Sequence, residues 1–156
     1  MAKVTSDVFP VYENEFKIGV KGKSSASEDM KTIAELETFQ VSFDNNIEEW
    51  TPMTSQGWKK RMQTGKAFSI SLSGKRCIGD EGNDYIAGLA WLSGHDVESA
   101  FEWIMPDGTT IKFSCLVQVT NVGGGDSTNV GGLELEVMSN GKPEITDGKS
   151  ETTETP

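Results

Sequence analysis

From Phe68 to Ser73 the chain reads Phe-Ser-Ile-Ser-Leu-Ser. A period of two puts Phe68, Ile70 and Leu72 on one face and the hydroxyls of Ser69, Ser71 and Ser73 on the other, which only a strand can do. The same signature recurs along the chain. Thr32 to Asp44 carries Phe39, Val41 and Phe43 against Gln40 and Ser42. Val97 to Met105 sets Phe101 and Trp103 opposite Glu98, Ala100 and Glu102. Thr109 to Val122 aligns Ile111, Phe113, Cys115, Val117 and Val119, and Gly132 to Met138 aligns Leu133, Leu135 and Val137 against Glu134 and Glu136. Phe16 to Val20 is a shorter strand. Pro106-Asp107-Gly108 carries the residues of a tight turn and joins two of these runs into a hairpin.

Composition agrees with a mainly β chain. Hydrophobic residues make up 35% of 156, and 17 are glycine. The length suits one domain. One helix is expected over about 83–92. Asn83-Asp84 would cap it, Tyr85, Ile86, Leu89 and Trp91 would pack it, and Gly94 would stop it.

Asp44 to Gly65 follows neither period and reads as a long loop, about 44–65. It holds Trp50, Met53, Trp58 and Met62, with Lys59-Lys60-Arg61 between them. Irregular loops longer than about 12–15 residues are uncommon unless they serve a function. Trp and Arg anchor interfaces. The loop is therefore expected to dock on a partner and to be poorly ordered without one, the rival being that its Trp residues belong to the subunit's own core. Asn140 to Pro156 has a single hydrophobic residue, Ile145, so the domain is drawn as 1–143 with a flexible acidic tail at 144–156.

Charge narrows the function classes. Fourteen Lys and Arg against 24 Asp and Glu give a net charge of −10, which disfavours nucleic acids and anionic membranes as binding partners. No apolar stretch approaches the roughly 20 residues of a membrane span. Met1-Ala2-Lys3 is followed by no apolar leader core, so synthesis in a cytosol is expected. Cys77 and Cys115 fit a reducing compartment, and two Cys without His partners make no zinc site. Cys115, among apolar neighbours, reads as inert packing.

Motifs for chemistry fail in turn. Gly22-Lys23-Ser24 and Gly148-Lys149-Ser150 lack the first glycine of a phosphate loop. Asp80 to Asp84 lacks the spacing and closing Glu of a calcium loop. Asp80, Asp84 and the lone His95 offer a hydrolase site only on paper, with no nucleophile elbow. The paired carboxylates Glu35/Glu37, Glu48/Glu49 and Glu134/Glu136 are explained by solvated faces. No enzyme, metal or cofactor is expected. A β-sandwich module binding glycans through Trp50, Trp58 or Trp103 is the alternative of a different class.

A set of residues in fixed order remains. It comprises Glu37-Thr38-Phe39, Val41-Ser42-Phe43-Asp44, Glu49-Trp50-Thr51-Pro52-Met53, Gly57-Trp58, Thr64-Gly65-Lys66 and Gly74-Lys75-Arg76. It continues through Gly79-Asp80, Gly82-Asn83-Asp84-Tyr85, Phe101-Glu102-Trp103, Pro106-Asp107-Gly108-Thr109, Gly123 to Val130 and Gly141-Lys142-Pro143. With this set the chain resembles, over about Ile33 to Pro143, the tail tube (major tail) proteins of long-tailed phages and prophages. The resemblance implies a β-sandwich or half-barrel with one flanking helix and no catalytic residues. It implies hexameric rings that stack into a hollow tube of the virion tail, assembled in the host cytoplasm. The partners implied are other copies, the tape-measure protein, the tail terminator and baseplate or tail-tip proteins, with DNA as passing cargo and no membrane. On this reading Trp50, Met53, Trp58, Lys59, Lys60, Arg61 and Met62 are candidates for contacts between subunits or rings. The polar faces Ser69, Ser71, Ser73 and Glu134, Glu136 are candidates for the lumen lining, where negative walls repel phosphates.

Overall fold

The computed structural model describes residues 6–147. Eight strands form one antiparallel sheet: β1 (Glu15–Gly19), β2 (Met30–Thr32), β3 (Leu36–Trp50), β4 (Lys60–Lys75), β5 (Glu98–Ile104), β6 (Thr110–Val122), β7 (Gly132–Ser139) and β8 (Glu144–Thr146). The order across the sheet is β2-β1-β5-β6-β7-β4-β3, with β8 paired to β6 beside β7. Among the described residues one α-helix, α1 (Glu81–Leu89), interrupts the strands. The mainly β architecture with a single flanking helix is the one expected.

The sheet curls. β1 and β3 lie far apart in strand order, yet the rings of Phe16 and Phe39 meet edge-on at 4.8 Å, and Phe39 meets Trp103 at 5.7 Å. Apolar faces from both halves thus close on one core. Ile18, Ile70, Phe101, Leu133 and Val137 are fully buried, with Ile86 and Leu89 of α1 packed against them. Alternation dictates this: each strand hides every second side chain, at about 1.5–3 kcal/mol per large apolar group.

Three expectations need correction. The segment 44–65 is mostly strand. Its residues continue the β3–β4 hairpin from Asp44↔Ala67 to Trp50↔Lys60, with a bulge beside Asn46 and Ile47. It lacked an apolar period because β7 pairs β4 only from Ser69 onward, so the outer ribbon has solvent on both faces. The helix starts earlier and ends earlier than 83–92. Asp80 is its N-cap, accepting from the Asn83 amide at 3.0 Å, while the Asn83 side chain is buried and bonds Ala34 O and Lys75 O. Gly94 lies beyond its end, opening a short 3-10 turn. Finally, the tail drawn from Glu144 begins with β8, which pairs Glu144–Thr146 to Lys112–Thr110. Backbone pairing rather than burial holds it, since Ile145 stays exposed. The rest of that tail, from 148, lies outside the described residues.

Candidate functional site

Two surfaces gather the residues singled out above. The first is the arm, the two-stranded ribbon beyond Phe43 and Phe68. Its strands are braced by charge: Arg61 Nε donates to Glu49 Oε2 at 2.6 Å and Lys59 Nζ to Glu49 Oε1 at 3.4 Å. The Arg61 hydrogen bond, and after it the charge of Lys59, holds the Glu49 carboxyl below its ordinary range. Asn46 Nδ2 donates to Thr64 Oγ1 at 2.7 Å next to the bulge. Lys66 Nζ lies 5.2 Å from the centre of the Phe43 ring, a cation–π contact at the arm's base.

The tip of the arm is a built turn. Met53–Ser55 makes one 3-10 turn, the Ser55 amide donates to Pro52 O and the Trp58 amide to Ser55 O. Gln56 and Gly57 both adopt left-handed φ, of 54° and 89°. Onto this frame are mounted large apolar side chains that the described residues leave exposed: Met53 is fully exposed, Trp58 80%, Met62 59% and Trp50 45%. The account that placed these Trp residues in the subunit's own core is therefore excluded. Phe43, read from the sequence as the end of a strand's apolar face with Phe39 and Val41, is exposed on this ribbon, and Ile47, also exposed there, escaped the sequence reading because no burial pattern marks a strand wet on both sides.

The second surface is the polar face of β3, β4, β7 and β6. Register sets its side chains in rows. Thr38, Ser73, Glu134 and Asn121 are consecutive partners in one row. Gln40, Ser71, Glu136 and Gln118 make the next. Ser69 follows, paired with Ser42 and Met138. The two candidate sets, serines and glutamates, are thus neighbours on one face. Asn121 Nδ2 donates to Glu134 Oε2 at 3.1 Å within it.

Among the described residues, this four-stranded part of the sheet has an unpaired edge on each side. β3 is the last strand of the sheet, with β4 as its one partner. On the opposite side, β5 pairs β6 only as far as Leu116, and Val117–Val122 continues without a strand along that edge. No sequence signal marks an edge. It follows from which partner strand stops first.

The paper hydrolase site is occupied by structural duties. Asp80 also accepts from the Ala34 amide at 3.1 Å. Asp84 binds Arg76 at 2.8 Å and the Gly79 amide. His95 pairs with Glu98, whose carboxyl is held low by that hydrogen bond and then by Lys23. Among the described residues no group of three His, Cys, Asp or Glu is placed to hold a metal. Trp103, named for the glycan alternative, is half-buried, stacked on Phe16 at 6.1 Å and bonded to Asn14. Cys115 is fully buried, and burial pushes its thiol up to about 12, while Cys77 is half-buried.

No protein-family model and no curated protein matches the chain. Among solved structures it is similar to a chain from the tail of an empty GTA particle refined helically with C6 symmetry. The TM-score is 0.68 at 19% identity, covering 89% of this chain and 99% of that one. It is also similar to a chain from the virion of a native gene transfer agent (GTA) particle, with TM-score 0.66, 21% identity and the same coverage of both chains. At such identities the likeness is one of fold. That fold is found in the tail of a phage-like particle, the same direction in which the sequence resemblance to phage tail tube proteins points.

Proposed function

We propose that this chain is the structural subunit of a phage-like tail tube. The observation that carries the reading is the pair of unpaired edges flanking one four-stranded sheet. An exposed edge is a template for pairing with another chain. Joining β3 of one copy to Val117–Val122 of the next is a head-to-tail contact, and it makes a ring if the rotation closes. Six copies are the proposed number, by analogy with the C6 symmetry of the similar tail structure. Ring closure would remove both edges at once and join the polar rows into a continuous wall.

In that ring Ser69, Ser71, Ser73, Glu134 and Glu136 line the lumen. Hydroxyls and carboxylates suit a channel that DNA crosses without adhering, because the carboxylates repel phosphate. The tape-measure protein occupies the lumen before DNA does, and terminator and tail-tip proteins close the ends. The arms, with Trp50, Met53, Trp58, Lys59, Lys60, Arg61 and Met62, join one ring to the next. The subunit works by assembly, not by catalysis, and is built into the virion tail within the host cell. Concentrated purified protein, examined by electron microscopy and sedimentation, is expected to form rings or hollow tubes. A folded protein that stays monomeric at high concentration, with tape-measure protein present, would overturn the proposal.

A further inference from the structure

The apolar side of the four strands β3, β4, β7 and β6 is sealed in the middle and open at both margins. On the two inner strands Ile70, Leu72, Leu133, Leu135 and Val137 are at most 3% exposed. On the two outer strands Phe39 and Val41 of β3, and Val119 and Val122 of β6, pack on the same core but are only half-buried. Alternation puts these four side chains on the face away from the polar rows. The shortfall in burial therefore runs along the two unpaired edges.

Beside each edge stands a group of exposed large side chains. Next to β3, Val11 and Tyr12 line one cleft with Leu36, Thr38 and Phe39. They belong to the 3-10 turn Val11–Glu13, which is fixed by the Asn14 amide and Asn14 Nδ2 both donating to Val11 O. Tyr12 is 84% exposed and Val11 is exposed with it. Next to the free stretch of β6, the chain leaves α1 through Trp91 and Leu92 and enters β5 by the 3-10 turn Gly94–Val97. Both α1 and that turn pack against β6. The last partner of β5 on β6 is Leu116, so this passage lies where Val117–Val122 begins. Trp91 is 85% exposed, and Leu92 is exposed beside it. Thr38 and Asn121 belong to one row across the sheet, so the two groups stand at a similar height along the strands.

We propose that the joint between copies has a second layer, in which Val11 and Tyr12 of one copy pack against Trp91 and Leu92 of the next. The proposal rests on the tube reading and adds, behind its paired strands, the contact that seals them. A second copy is the occupant because one exposed group flanks each of the two edges. The rotation that brings β3 to Val117–Val122 brings both groups to the same joint. Strand pairing alone would leave Phe39, Val41, Val119 and Val122 partly wet on their apolar side, and the second layer removes them from water. Tyr and Trp suit the task, since each buries a large ring while its polar atom reaches the rim. The contact is head-to-tail, the turn given on one side and the helix end on the other, so every joint of a closed ring is alike.

Hydroxyl-radical footprinting of wild-type protein reads this contact without altering it. Tyr12 and Trp91 are expected to oxidise several-fold more slowly in rings or tubes than in free subunits. Disulfide trapping identifies the neighbour. In a Cys77→Ser background the remaining thiol, Cys115, is fully buried. There a Tyr12→Cys chain assembled together with a Leu92→Cys chain should give mixed dimers on oxidation, and neither chain assembled alone should dimerise. If a cysteine variant does not assemble, the wild-type footprint decides. Tubes in which Tyr12 and Trp91 oxidise as fast as in free subunits, or an assembled mixture that traps no mixed dimer, would overturn the second layer and leave the tube reading standing. Wild-type protein that never assembles would overturn both.

Discussion

Arg61 Nε lies 2.6 Å from Glu49 Oε2, closing the outermost charged pair of a ribbon that leaves the subunit with solvent on both faces. The pair, with Lys59, substitutes for the burial that this ribbon lacks. Glu49 is depressed by Arg61 first and Lys59 second. A carboxyl depressed in the folded state contributes pairing that is present above its unfolded value and is lost as pH falls through its folded value. The brace is therefore complete at neutral pH and lost in acid. Amide exchange over Asn45–Trp50 is expected to be faster in Glu49→Gln than in wild type at pH 7, with the difference disappearing below the carboxylate range. Equal exchange at pH 7 would show that the pair does not hold the arm.

Trp58→Ala should separate folding from assembly. The side chain is 80% exposed, so its loss should change stability by no more than about 0.5 kcal/mol, as for ordinary surface substitutions. Each interface would lose an anchor worth roughly 1.5–3 kcal/mol, repeated around every ring. Melting of the free subunit and electron microscopy of concentrated protein are the two readouts. An unchanged melting temperature with no tubes is expected, and normal tubes would remove Trp58 from the contact.

Two glycines should respond in opposite directions to alanine. At Gly74 an added Cβ would lie 2.1 Å from Glu35 O and 2.6 Å from the Leu36 Cα, backbone that Lys75 N already binds at 2.8 Å. Gly74→Ala should cost about 1–3 kcal/mol or more, since backbone cannot yield as a side chain tip does. Gly88 stands inside α1 with nothing within 4 Å of its Cβ position, so Gly88→Ala should stabilise by roughly 0.4–1 kcal/mol. Chemical denaturation of both variants checks the pair.

The two thiols should also part company. In the folded subunit at pH 8 an alkylating reagent should modify half-buried Cys77 and leave Cys115 until the chain unfolds. Between its ordinary value of 9.0 and about 12, the Cys115 thiol ionises only in the unfolded chain, so its contribution to stability falls as pH rises. Equal labelling rates measured by mass spectrometry would contradict the packing.

The sheet was legible wherever one face is wet and the other dry. Phe68-Ser69-Ile70-Ser71-Leu72-Ser73 states its own orientation, and Leu133, Leu135 and Val137 do the same. What escaped was structure held by pairing alone. The outer arm has no dry face, and β8 is three residues long with Ile145 exposed, so neither leaves a period to read. The helix start was displaced because Asp80 and Asn83 are both good caps by type. Only the contact of Asn83 with Ala34 and Lys75, far off in sequence or across a turn, decides that Asn83 is an interior strut. The candidate residues of the arm were visible by their misfit: large apolar side chains in a stretch with no core pattern.

Cryo-electron microscopy of tubes grown from the purified chain is the most direct test of the central claim. The account predicts rings in which β3 of one subunit lies hydrogen-bonded along Val117–Val122 of the next, with Ser71 and Glu136 facing an open lumen. Rings joined through other surfaces, or a tube with Ser71 and Glu136 on its outer wall, would contradict it.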